Sequence, residues 1–221
     1  MASNRLRGFS FLELIVSVTI LTIVIGVAID GIATFQARNA TEVNNVADTQ
    51  EARQFMDQIL NDLRQTGYPA IKMFDPATLT SSANCVLDNN VSCGIISLTS
   101  TAIQFEGDVD GSGVSEVYIQ LVQPGTTNVC TTPPCTLQRG TVLKSAGGTP
   151  AYYTEVDNVM NAGVFTAFDA GGNSIALPAS AANLPNIKNI GLTLGVRASQ
   201  ADLTTNVYPT ITMVSEARIN N

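Results

Sequence analysis

Arg5-Leu6-Arg7-Gly8-Phe9-Ser10-Phe11-Leu12-Glu13-Leu14-Ile15 decides how the rest of the chain is read. A short basic leader ends in Gly8, and an apolar run continues from Phe9 to Ile29. Glu13 is the one charge inside that run, and the next is Asp30. A run of about 20 apolar residues is enough for a helix to cross a bilayer. A carboxylate inside such a helix costs roughly 2.5–3.5 kcal/mol at its centre and less near an end. Such an acid needs a partner of opposite charge. Cleavage after Gly8 would create one, because Phe9 would then carry a free α-amino group four residues ahead of Glu13. That amine, from the same chain or a neighbour, could neutralise the acid in a packed low-dielectric bundle.

A conventional secretory signal also has a basic start and an apolar core, but it ends in a small-residue cleavage site and carries no embedded acid. Ala28-Ile29-Asp30 is a poor version of such a site. A plain single-span anchor leaves Gly8-Phe9 and Glu13 unexplained. Gly8-Phe9-Ser10-Phe11-Leu12-Glu13 resembles the class III signal of type IV pilins and pseudopilins. The resemblance implies that a prepilin peptidase cuts after Gly8 and methylates Phe9. It also implies that Glu13, fifth in the mature chain, is needed for assembly.

At 221 residues the chain suits one helix-anchored domain, or at most two small ones. Charged residues are sparse and Ser, Thr, Asn and Gly are abundant, as in a β-rich extracytoplasmic head. The net charge of −7 would become −9 on loss of Arg5 and Arg7, so there is no electrostatic footprint for nucleic acid. There is no histidine, which excludes a His-based triad, a His general base and a histidine metal site. No other nucleophile has a recognisable base, so the chain is not read as an enzyme. Cys85, Cys93, Cys130 and Cys135 permit three connectivities. In an oxidising compartment, local disulfides 85–93 and 130–135 are expected. Zinc is the competing use of Cys130-Thr-Thr-Pro-Pro-Cys135, and the compartment argues against it.

Beyond Ile29 the apolar residues Ile32, Phe35, Val43, Val46, Phe55, Met56, Ile59, Leu60 and Leu63 recur at spacings near three and four. They predict one amphipathic face. No proline interrupts Phe9 to Thr66, and Gly67 and Pro69 supply a stop. The expectation is a single helix of roughly 87 Å. Its first half would face lipid or a bundle and its second half would pack on a head, with Gly26 as a flexing point. Strands are expected at Ile95–Leu98, Ala102–Phe105, Glu116–Val122, Leu137–Leu143, Tyr152–Val156 and Val164–Phe168. A final hairpin is expected from Ile190–Val196 and Ile211–Ile219. The fold class is α+β: a long N-terminal helix, transmembrane and then amphipathic, packed on an antiparallel β-sheet head. The division is a leader at 1–8, a helix at 9–66 with 9–29 transmembrane, and a head at 67–221.

Within the superfamily, several segments resemble the PilW/PulJ-like minor pilins and pseudopilins. They are Asp62–Tyr68, Ile103–Gly113 with Val117-Tyr118, Leu137-Gln138-Arg139 and Val164–Asp169. The absence of a proline near Asp30, where many major pilins have one, points the same way. The resemblance implies a structural subunit that primes or caps a type IV pilus. The alternatives are a type II secretion pseudopilin of a tip complex, or a tip-located adhesin. It further implies a bacterial inner-membrane location with the head outside the cytoplasm, then a place in a filament, at its tip. The implied partners are the peptidase, other minor and major pilins or pseudopilins, and the inner-membrane assembly platform.

Asp108, Asp110, Ser112 and Glu116 could converge oxygen ligands on calcium, with Gly113 as the turn glycine. The bidentate position of a complete loop falls on Ile119, so Glu116 would have to substitute. The other reading is an Asp/Gly-rich turn between strands without metal. Tyr152, Tyr153, Phe165 and Phe168 are expected to pack the sheet.

Overall fold

The computed structural model describes residues 10–79, 84–203 and 205–219. Gly8, Phe9 and the leader lie outside the described residues. Helix α1 runs without a break from Phe11 to Arg64, 54 residues or about 80 Å. Gly26 does not interrupt it. The helix ends where the sequence places its stop: Gln65 caps it, and Gly67 takes a left-handed φ of 80° that glycine adopts without a side-chain penalty.

Among the described residues nine strands follow: β1 (Ile95–Leu98), β2 (Ala102–Gly107), β3 (Ser115–Val122), β4 (Cys135–Leu143), β5 (Ala151–Val159), β6 (Phe165–Phe168), β7 (Ser174–Ile175), β8 (Asn189–Arg197) and β9 (Thr210–Arg218). All of them pair antiparallel. β1 to β5 form a meander, and β8 then joins two parts of the sheet. β9 pairs with β8 along its whole length, from Asn189↔Arg218 to Arg197↔Thr210. The other edge of β8 is shared in tandem by β6, at Asn189 to Leu192, and by β5, at Val196. The first strand of the expected final hairpin, β8, is therefore the centre of one half of the sheet, and β9 lies at its edge.

The inner face alternates as a half-buried sheet must. Ile103 and Phe105 on β2, Val117, Ile119 and Leu121 on β3, and Ile190, Leu192 and Leu194 on β8 are buried. They meet Ala52, Phe55, Met56, Ile59, Leu60 and Leu63 of α1. Burying side chains of this size contributes about 1.5–3 kcal/mol each and holds the helix end on the sheet.

Two expectations are corrected. The apolar residues of the second half of α1 do not form one face. Thr41, Ala52, Phe55, Ile59 and Leu63 line the side that the head covers, and Asn45, Asp48 and Thr49 on the same side are partly buried. Ile32, Phe35, Val43 and Val46 are each more than half exposed. With Met56 and Leu60 counted among the buried residues, at 3.6 residues per turn the two sets are centred about 130° apart around the axis, so spacings near three and four merge two adjoining stripes. Tyr152 and Tyr153 are also not core residues. Tyr153 is 69% exposed, and Tyr152 stands on the outer face, edge-on to Tyr118 at 6.4 Å between ring centroids. Phe165 is buried as expected.

Candidate functional site

The first turn of α1 holds Glu13, with Ser10 at the N-cap. Ser10 makes no side-chain cap bond, while Glu13 and Leu14 donate their amides to its carbonyl at 3.0 and 3.1 Å. An acid in the first turn is favoured by the helix dipole. Among the described residues Glu13 has no ion-pair partner. Every large apolar residue from Phe11 to Ile29 is exposed on all sides of the helix. The hydroxyls of Ser17, Thr19 and Thr22 are turned back onto backbone carbonyls one turn earlier, each at 2.8 Å. The segment thus shows an apolar surface with its polar groups satisfied internally. It is long and apolar enough to cross a membrane, and none of it is buried in its own protein.

Residues 3–29 match the prokaryotic N-terminal methylation motif. The N-terminal segment is therefore of the prepilin type, and the chain is type IV pilin-like: a motif-bearing apolar helix in front of an antiparallel β head. No curated protein and no solved structure matches the chain.

The head grips this pilin-like helix at its far end. Arg139 on β4 points inward and places Nε 2.9 Å and Nη2 2.8 Å from Asp62 Oδ2. Burial raises the Asp62 carboxyl above its ordinary range, and the Arg139 guanidinium acts against that rise. Gly67 donates its amide to the Glu106 carbonyl at 3.0 Å, and Thr66 bridges to Gly107. The segments Asp62–Tyr68, Ile103–Gly113 and Leu137–Arg139, separate in sequence, are thus joined at the last turn of the helix. At the lower end of the head, Asp48 accepts the Ser199 amide at 2.8 Å.

Cys85 is bonded to Cys93 and Cys130 to Cys135, with Cα separations of 5.2 and 5.9 Å. The first of these loops is fastened to the sheet by an ion pair that sequence reasoning missed. Lys144 Nζ lies 2.8 Å from Glu106 Oε2, 2.8 Å from the Val91 carbonyl and 2.5 Å from the Cys85 carbonyl. The Cys93 amide donates to the same Glu106 oxygen at 2.7 Å. Strand alternation alone places Glu106 on the outer face; only the overlying loop buries it.

The four residues considered for calcium do not converge. Asp108 Oδ1 accepts the amides of Gly111 and Gly113, and Asp110 Oδ1 accepts both the amide and the hydroxyl of Ser112. Those bonds hold the Asp110 carboxyl below its usual range. Glu116 stands on β3 and accepts the Tyr118 hydroxyl and, at 3.4 Å, a Gln104 amide proton. Among the described residues no group of three or more His, Cys, Asp or Glu side chains is gathered as a metal site.

Proposed function

We propose that the chain is a minor subunit that primes or caps a type IV pilus or a related pseudopilus. In this reading a prepilin peptidase cuts after Gly8 and Phe9 is methylated. Residues 9–29 then hold the protein in the inner membrane with the head outside the cytoplasm. An assembly platform moves the helix into a bundle of homologous helices, where Glu13 pairs with the N-terminal amine of a neighbouring subunit. That pair offsets the desolvation of the carboxylate and sets axial register.

The observation that carries this reading is the second apolar stripe of α1. Ile32, Phe35, Val43 and Val46 continue the apolar surface about 25 Å past Ile29, on the side turned away from the head. Lipid covers only about 30 Å of a helix, and from Thr41 onward the head covers the other side. A surface that is apolar beyond the bilayer and averted from its own core suits packing against other helices.

The test is the intact mass and N-terminus of the protein from its own membranes, followed by filament incorporation of variants. A start at Phe9 with one added methyl group is expected. Glu13→Ala and Phe35→Glu are expected to be processed and membrane-held, with the head melting as in the parent, yet missing from sheared filaments. A Met1 start, or normal incorporation of both variants, refutes the reading. Counting copies against the most abundant subunit tests the minor role, which requires a small fraction.

A further inference from the structure

Six cationic residues follow Thr66 in this acidic chain. Arg139 and Lys144 are held in ion pairs, and Arg197 lies over the Tyr208 ring at 4.9 Å. The other three, Lys72, Lys188 and Arg218, line one cavity of about 440 Å³ just past the end of α1. The Lys72 and Arg218 side chains make no hydrogen bond or ion pair among the described residues. Lys72 and Arg218 thus bring two side chains without a partner among the described residues to one wall, in a protein of net charge −7.

The cavity has a second kind of wall. Tyr68, 46% exposed, and Met73 present apolar surface beside the cations. It also continues. Lys188 and Arg218 line an adjoining depression with Asp169, and Lys188 borders a further one of about 470 Å³ lined by Ser174, Asn183 and Asn186. The result is an open groove: aromatic and cationic at one end, lined by amide and hydroxyl side chains at the other. It lies at the end of the head farthest from the apolar segment, about 50 Å beyond Ile29 along the helix axis.

We propose that this groove binds an acidic oligosaccharide. Lys72 and Arg218 take its carboxylate or sulfate, Tyr68 takes the apolar face of a sugar ring, and Asn183, Asn186 and Ser174 take hydroxyls. The direction of binding follows from Asp169, whose carboxylate is fixed by the amides of Gly171 and Asn173. Its charge repels an acidic group, so the acid sits at the Lys72–Arg218 end and neutral sugars extend past Asp169. A nucleic-acid strand suits the groove less well. A run of phosphates would pass Asp169, and three cations neutralise only a short stretch. This site does not depend on the filament reading.

The experiment is calorimetry of the full chain in detergent with two maltohexaoses that each carry one terminal acid, a sulfate or a carboxylate, and with unmodified maltohexaose as the neutral control. Binding of at least one acidic sugar, no binding of maltohexaose, and weakening by added salt are expected. Lys72→Ala and Arg218→Ala should each weaken binding about tenfold, the loss of one charge-assisted contact. Both side chains are exposed, so the melting curve should not move. Tyr68→Ala should also weaken binding, while Arg53→Ala, on the helix, should not. Failure of both acidic sugars to bind, or equal binding of maltohexaose, overturns the proposal. Tighter binding of polyglutamate or of single-stranded DNA overturns it in favour of another polyanion.

Discussion

Arg139 reaches from the middle of the sheet to Asp62 in the last turn of the helix, 77 residues earlier, and closes to 2.8 Å. The pair is almost wholly shielded, with side-chain exposures of 16% and 8%. In such a setting the two charges roughly offset their own desolvation, and breaking the pair costs far more than replacing it. Asp62→Ala is therefore expected to destabilise the head by about 3–5 kcal/mol, since Arg139 is left buried without a counter-charge. Asp62→Leu combined with Arg139→Met should recover most of that loss. Urea unfolding of the three proteins measures both; a double variant no better than Asp62→Ala would contradict this account.

Lys144 performs a different task, holding an irregular loop instead of a helix. Its ammonium is shared by Glu106 and by the carbonyls of Cys85 and Val91, at both ends of the disulfide loop. Lys144→Met keeps the stem but leaves the Glu106 carboxylate buried beside the Cys93 amide alone. The expected outcome is a loop that opens locally, read as faster amide exchange at Val91 and Cys93 with little change on β8. Reduction of Cys85–Cys93 should cost about 2–3 kcal/mol, the closure entropy of a short loop. In the parent protein, Lys144 should keep the reduced loop protected. Equal exchange in parent and variant after reduction would remove the lysine from this role.

Gly107 sits where β2 passes beneath the end of α1. A methyl group there would lie 2.5 Å from the Gln65 carbonyl oxygen and 3.0 Å from its carbon, both backbone atoms that cannot swing aside. Gly107→Ala should cost about 1–3 kcal/mol and disturb the Thr66–Gly107 bridge. Gly31→Ala, with nothing within 4 Å, should be neutral or slightly stabilising, as alanine is in a helix interior. Thermal unfolding of both variants checks the contrast; equal effects would mean that the helix end shifts freely over the sheet.

The helix and most strands were legible because each rests on a local pattern; the two-residue β7 and the sharing of one edge of β8 by β5 and β6 were not. The apolar run has no interruption, Gly67 and Pro69 mark the stop, and β3 and β8 alternate cleanly. What was not legible depends on contacts between distant segments. Matching spacings near three and four did not separate Val43 from Phe55, about 120° apart around α1, because residues three and four apart also link neighbouring stripes. Nothing near Lys144 or Glu106 in sequence announces their pairing, 38 residues apart. Of the proposed assembly site, Glu13 and its apolar setting were plain in the sequence. The stripe from Ile32 to Val46 became visible only once the head was seen to cover the other side.

Tyr118 closes the outer face of the sheet. Its hydroxyl donates to Glu116, it accepts from Gln104 at 2.9 Å, and its ring meets the edge of Tyr152. Burial, and then the bond to the Glu116 carboxylate, raise the Tyr118 phenol far above its ordinary value, and burial raises that of Tyr152. In the unfolded chain both ionise near ~10. The folded state thus keeps protons that the unfolded state has lost. The stability these tyrosines contribute is complete below about pH 10 and is lost as the pH climbs toward their folded values. Phenolate absorbance followed through an alkaline titration should show a late component that appears together with unfolding. Tyr118→Phe should shrink it to the part that Tyr152 contributes. Glu116→Gln keeps an acceptor but removes the charge, so it should move the component to lower pH. A late component unchanged in Tyr118→Phe would show that Glu116 and burial do not hold this proton.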